Sequence, residues 1–330
     1  MNWEGILGAA ARAAVGRDAV VFCLAAIGLN MHFGYTGLLN FGQAGFMAIG
    51  AYGLAVAVNT IGLPMWIGLI VGLAAAVVLA LLLGVPTLRL RADYLAIVTI
   101  AAAEILRLTF RSVALRDVTG GSSGLTQFAR DFYTINPYSS GTYGLWLVRV
   151  DERVAWVLTV GWGLVILLSL MMYLLMHSPW GRVIKSIRED EDAARSLGKN
   201  VYFYKMQSLI LGGVIGAIAG FITSISSQSV QPDTYSTPVT FFAYVILILG
   251  GTARIFGPIA GAMIFWALLS LTNSVLRAAV APDGPLPGLL SGTQIGQVRF
   301  VLVGVSLMLL MIFRPQGIFG DRKELALDER

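Results

Sequence analysis

Glu104 and Arg107 are opposite charges three residues apart, inside an apolar run from Tyr94 to about Phe110. That spacing puts both on one helix face, where they can pair. An unpaired carboxylate at mid-bilayer costs roughly 2.5–3.5 kcal/mol on insertion scales, so Glu104 reads either as part of a substrate path or as half of a structural ion pair. Other reactive groups are sparse. His32 and His177 are the only histidines, and neither has metal-ligand spacing around it, so no metal site is expected. Neither completes a Ser/His/Asp set, so a catalytic role is not expected. Cys23 is the one cysteine, which rules out a disulfide within the chain. No phosphate-binding lysine loop occurs, so the chain is not expected to bind ATP in that way.

What remains is non-covalent chemistry, concentrated in two stretches. The first is GYTGLLNFGQAGFMAIGAYG, residues 34–53, where Tyr35, Thr36, Asn40 and Gln43 are interleaved with Gly34, Gly37, Gly42, Gly45, Gly50 and Gly53. Interrupted backbone at membrane depth is tolerated only against protein or a wet cavity. In transporters, glycine-broken helices point to the translocation path. Tyr35, Thr36, Asn40 and Gln43 are therefore the path candidates; the alternative is close helix packing through the small residues. The second stretch is SPWGRVIKSIREDEDAARSLGKN, residues 178–200, a charged segment between long apolar runs. Ser178 is a natural N-cap with Pro179 at the first helical position, and Gly198 a natural C-cap. Val183, Ile187, Ala194 and Leu197 recur at helical spacing, which predicts an amphipathic helix at the membrane surface.

The elements that must position these residues follow from composition. The chain has 330 residues, 57% of them hydrophobic and 12% charged, with a mean hydropathy of +0.77. Soluble domains carry about a quarter charged residues, and the apolar runs here repeatedly exceed the roughly 18 residues that cross a bilayer. The expectation is an all-α, polytopic transmembrane helical bundle with broken or re-entrant helices and roughly eight to ten spans. Residues 1–17 are expected as an N-terminal interfacial segment, 18–313 as the transmembrane unit and 314–330 as a cytoplasmic tail. The net charge of +5 does not suggest nucleic acid, because Lys and Arg gather at span ends, as the positive-inside tendency requires. That bias favours a cytoplasmic location for residues 178–200. Prolines 282, 285 and 287 mark a loop before the last span.

In this order and spacing, GYTGLLNFGQAGFMAIGAY, TGGSSGLT, SPWGRVIKSIREDEDAARSLG, ILGGTARIFGPIAGA and RPQGIFG resemble the permease subunits of bacterial branched-chain amino acid ABC transporters, specifically the longer of the two permeases. The resemblance covers about residues 20–320. It implies a multi-pass protein of the bacterial plasma (inner) membrane within a heteromeric importer. The implied partners are a second permease, two cytoplasmic ABC ATPases that carry ATP and Mg, an extracytoplasmic substrate-binding protein and the lipid bilayer. It also implies that residues 178–200 are a coupling helix, with Gly181, Arg182, Val183, Ile187, Glu189, Asp190, Ala194, Leu197 and Gly198 at the ATPase contact. The cargo so implied is Leu, Ile or Val. The alternatives are the same kind of permease carrying urea or short amides, and a stand-alone secondary carrier.

Overall fold

Apolar runs flanked by polar punctuation, with glycine where helices touch, form helices almost throughout the computed structural model, which describes residues 3–89, 92–145, 148–281, 291–314 and 316–320. Helix α1 (Trp3–Val15) is separated by Gly16 from α2 (Arg17–Leu29), which widens into a π-helical turn over Asn30–Tyr35. After an unwound stretch come α3 (Gln43–Asn59), α4 (Met65–Thr87) and α5 (Ala92–Arg111). The long polar connection carries two short helices, α6 (Arg116–Thr119) and α7 (Arg130–Thr134). It leads to α8 (Glu152–His177), α9 (Pro179–Glu189), α10 (Glu191–Ser196) and α11 (Val201–Ser227). Helices α12 (Thr237–Gly250), α13 (Gly257–Val280) and α14 (Gly292–Phe313) complete the bundle. The expected all-α polytopic bundle is borne out. Among the described residues, five segments (Trp3–Tyr35, α4, α8, α11 and α13) are long and apolar enough to cross a membrane, and Gln43–Asn59 and Gln294–Leu309 are shorter apolar helices.

The bundle is organised around α11. Most of α11 and of Trp3–Tyr35 is buried, whereas α4, α8 and α13 leave more than half of their apolar windows uncovered. Trp66, Leu82, Ile166 and Leu174 are among the large apolar residues on that outer surface, as expected for helices whose solvent is lipid. Glycines set the inner spacing. A Cβ at Gly50 would lie 2.7 Å from Ala217 Cα, and one at Gly53 would lie 2.6 Å from Gly72 Cα, so α3 meets α11 and α4 backbone to backbone.

Side-chain contacts fix the direction of each helix. At the end occupied by α9, Gly37 lies against Arg188, and Asn30 bonds the 253–254 backbone. At the other end, Asn59 Nδ2 donates to Thr126 O at 2.7 Å, and Arg107 reaches Asp233. The chain break after Tyr35 therefore does not remove a crossing: α2 runs towards the α9 end and α3 runs back. That places Arg17 at the end away from α9. Of residues 1–17, expected at an interface, Trp3–Val15 form α1, which packs along α13 with Ile6 and Ala10 buried. The end away from α9 carries two small antiparallel pairings, Leu125–Thr126 with Ser229–Val230 and Thr142–Leu145 with Val148–Asp151. Gly124 at φ +72° lies so close to Val230 O that no side chain fits.

The two remaining glycine motifs explain each other. Helix α12 stops at Gly251, where φ is +111°. Its last carbonyls are then capped by the RPQGIFG segment: Ile318 N donates to Leu249 O at 3.0 Å and Phe319 N to Gly250 O at 3.1 Å. Prolines 282, 285 and 287 and residues 321–330 of the expected tail lie outside the described residues.

Candidate functional site

The unwound stretch between α2 and α3 lies inside the bundle, so its backbone polar groups need partners from the protein. They find them on α5, on α12, in the π-helical turn and within the stretch itself. Phe41 N donates to Thr99 Oγ1 of α5 at 3.0 Å, and Ala44 N to Thr240 Oγ1 of α12 at 2.9 Å. Tyr244 of α12 donates its hydroxyl to Asn40 O at 2.9 Å. Leu38 N donates to His32 O at 2.8 Å, within the π-helical turn. Gly42 N donates to Asn40 Oδ1 at 2.9 Å. Gly37, at φ +74°, supplies the left-handed turn that lets the chain reverse.

The side chains of this stretch form a polar knot against α11. His32 Nε2 is 3.1 Å from Leu209 O, and Nδ1 is 3.0 Å from Asn40 Nδ2. A carbonyl can only accept, so Nε2 carries the proton and Nδ1 accepts from the Asn40 amide. Asn40 Nδ2 also donates to Gln43 Oε1 at 3.3 Å, and Gln43 Nε2 donates to Ala25 O and Gly212 O at 3.3 and 3.4 Å. Thr36 Oγ1 donates to Met31 O at 2.8 Å and lies 2.6 Å from Ser208 Oγ. Glycines make room for this knot: a Cβ at Gly28 or at Gly216 would lie 2.6 Å from Gln43 Nε2.

Of the path candidates, Thr36, Asn40 and Gln43 are thus brought together, with Asn40 and Gln43 wholly buried, and Tyr35 is buried at the end of the π-helical turn. Thr36, Asn40 and Gln43 bond within this chain, and Asn40 also satisfies the broken backbone at Gly42 N. His32 and Ser208 belong to the same cluster, although the sequence singled out neither for it. The signal that could have found the α11 wall is the glycine series Gly212, Gly213, Gly216 and Gly220. Glu104 is elsewhere. Arg107 Nε and Nη2 lie 3.0 and 2.6 Å from its carboxylate oxygens, and Arg107 also pairs with Asp233, which Arg111 approaches to 3.4 Å. Glu104 is therefore half of a partly exposed ion-pair group tying α5 to the α11–α12 connection.

At the opposite end, the segment expected as one helix over 178–200 is two. Ser178 caps α9 by accepting from Gly181 N at 3.4 Å. Helix α9 ends at Glu189 because Asp190 is extended (φ −154°) and its carboxylate accepts from Asp192 N and Ala193 N, both at 2.9 Å, to start α10. A single rod is replaced by an elbow. Gly181, Ile187 and Ala194 face inwards; Ile187 and Ala194 form a small core with Val201, on which Val183 packs. Ile184, which the helical spacing had not selected, is fully buried. Two polar ties fix the elbow to α11: Trp180 Nε1 donates to Gln207 Oε1 at 2.7 Å, and Lys205 pairs with Glu191. The outward surface consists of Arg182, Lys185, Arg188, Glu189, Asp190, Asp192 and Arg195, with Leu197 79% exposed beside Gly198.

A family described as "Branched-chain amino acid transport system / permease component" matches residues 13–313. The chain belongs to this family. It is 31% identical over 311 residues to the Escherichia coli K12 "High-affinity branched-chain amino acid transport system permease protein LivM", covering 91% of this chain and 68% of that one. It is 24% identical to the "Probable branched-chain amino acid transport permease protein LivM" of Methanocaldococcus jannaschii, over 92% of this chain and 91% of that one. The Escherichia coli K12 "High-affinity branched-chain amino acid transport system permease protein LivH" matches at 25% identity over 91% of each chain. This family of permeases, with the apolar helices above, makes the chain a multi-pass membrane protein.

Proposed function

We propose that this chain is one of two permeases in an ATP-driven importer of the bacterial plasma (inner) membrane, and that its cargo is a branched-chain amino acid. The names of the relatives support the cargo class. The observation that carries the coupling role is the α9–α10 elbow. A charged outer surface with one exposed leucine stands on a base tied by Ile187, Ala194, Trp180 and Glu191 to α11. A docked ATPase pushing on that surface moves α11, and through Gly37 against Arg188 it also bears on the unwound stretch. Charged residues at the rim set the docking register, and Leu197 supplies the apolar anchor. Two cytoplasmic ABC ATPases hydrolyse Mg-ATP there, the second permease completes the path, and an extracytoplasmic binding protein delivers cargo to the other end. High-affinity selection rests with that protein, because the polar side chains of the unwound stretch are already bonded within the chain.

The test is uptake of labelled leucine and labelled urea in cells lacking this chain, with and without the chain restored. Restoration of leucine uptake that stops on ATP depletion, and persists when the ion gradient is collapsed, is the expected result. Restoration of urea uptake alone, or uptake that needs no ATPase, overturns the reading.

A further inference from the structure

A cavity of about 220 Å³ opens at the end of the bundle away from α9, where the start of α2 meets the end of α11 and the start of α12. It is smaller than the roughly 300–1,000 Å³ of pockets for drug-sized ligands. We propose that it is a receiving site for the zwitterion of one apolar amino acid, with Arg17 taking the carboxylate, Asp18 the ammonium, and Phe22, Met47 and Val239 the side chain. The inference rests on the importer reading and names where in this chain its cargo first sits.

The register of α2 separates the two kinds of recognition. Arg17 and Asp18 stand on the first turn, and Val21 and Phe22 lie four residues on, one turn deeper on the same face. Met47 of α3 and Val239 of α12 extend the apolar wall. A ligand with both charges at one end and a hydrocarbon branch at the other matches that layout. The charged end offers one cation and one anion, so it suits a molecule of no net charge with separated poles. A basic or acidic amino acid would put a third charge against Phe22 and Met47, at a desolvation cost.

The charges are open to a ligand. Arg17 Nε is 3.4 Å from Asp18 Oδ1, and each side chain is half-exposed. Such pairs between exposed neighbours contribute little. A carboxylate can instead take two parallel bonds from the guanidinium. Thr223 and Ser226 line the same cavity and donate their hydroxyls back to Ala219 O and Thr223 O, at 2.8 and 2.9 Å. Their oxygens keep acceptor capacity for an ammonium. Tyr235, also in the wall, is 2% exposed, and its hydroxyl has no partner among the described residues. Burial pushes that phenol above its ordinary range, so it stays a donor.

The test uses the whole importer (this chain, its partner permease, both ATPases and the binding protein) in proteoliposomes, with a diazirine-bearing leucine as the photoprobe. Expected is labelling of peptides carrying Phe22 or Met47, competed by leucine but not by urea, and reduced about tenfold in Arg17→Gln and in Asp18→Asn, the scale of losing one charged hydrogen bond. Arg17→Lys should retain part of the labelling. Val239→Phe, which shortens the apolar end, should slow uptake of leucine more than uptake of valine. Should Arg17→Gln fail to reach the membrane, Asp18→Asn and Val239→Phe carry the same test. Leucine uptake with no label in residues 17–47, or equal effects of Val239→Phe on leucine and valine, overturns the site and leaves the importer reading standing. A wild-type complex that takes up no branched-chain amino acid overturns both.

Discussion

Asn40→Leu separates a structural knot from a path lining. In the wild-type protein Asn40 is fully buried; its amide donates to His32 Nδ1 at 3.0 Å and its carbonyl oxygen accepts from Gly42 N at 2.9 Å. Leucine does neither. His32 Nδ1 and Gly42 N would both be left buried and unpaired, at about 1–3 kcal/mol each. The sum is about 2–6 kcal/mol, a large part of the ~5–15 kcal/mol that holds a typical domain together. At roughly 2 °C per kcal/mol for a chain of this size, the melting midpoint in detergent should fall by about 4–12 °C.

The assay is thermal unfolding of the purified complex alongside leucine uptake by the same preparation. A lining residue would behave differently, with uptake changing while the midpoint stayed put. The double variant His32→Leu/Asn40→Leu sharpens the test, because removing both partners costs less than stranding one. Its loss should fall short of the sum of the two singles by at least about 0.5 kcal/mol. An unchanged midpoint in Asn40→Leu, or strict additivity in the double variant, refutes the knot.

Other perturbations have distinct readouts. Leu197→Asp alters a 79% exposed side chain, so membrane insertion should be normal while ATP hydrolysis proceeds without leucine uptake; retained coupling in that variant would contradict the docking role. Asp190→Ala removes the cap on α10, worth about 1 kcal/mol, and hydrogen exchange should accelerate over residues 191–196 and leave α11 protected. Gly220→Ala places a Cβ against the carbonyl of Met47, an overpacked contact costing about 1–3 kcal/mol, and the amount of folded protein recovered from membranes should drop. Glu104→Gln weakens a partly exposed ion pair worth ~0–1 kcal/mol, so the melting midpoint should barely move; a fall comparable with that of Asn40→Leu would mean the pair is far better shielded than its exposure indicates.

The sequence made the lengths and punctuation of helices legible because those depend on local chemistry. Ser178 and Pro179 start α9, Gly251 stops α12, and the glycines of 34–42 break the chain where it breaks. The facing of residues was less legible. Spacing alone made Val183, Ile187, Ala194 and Leu197 one stripe, yet the elbow at Asp190 rotates α10, so Ile187 and Ala194 point into the protein and Leu197 points out. A signal for the elbow was present: an aspartate followed by Glu191 and Asp192 is a cap with an acidic first turn. The continuous apolar spacing over 178–200 masks it. The pairing of His32 with Leu209 and Thr36 with Ser208 spans more than 170 residues, and periodicity carries no information about which helix meets which.

The same contrast explains why polar residues in a membrane segment need not mark the route of the cargo. A helix that unwinds at Thr36 and resumes at Gln43 exposes backbone donors and acceptors that lipid cannot satisfy. Each must meet a side chain, and here the side chains that answer are Thr99, Thr240, Tyr244 and Asn40. Asn40, Gln43 and Thr36 thus already spend much of their hydrogen-bonding capacity inside the chain. A passing amino acid could gain from them only by taking bonds away from a buried backbone, at the cost already worked out for Asn40→Leu. Selection for cargo is cheaper where polar groups are half-exposed and loosely paired, as Arg17 and Asp18 are. The receiving site proposed at Arg17 and Asp18 accordingly lies at the end of the bundle away from α9 and not in the glycine-rich break.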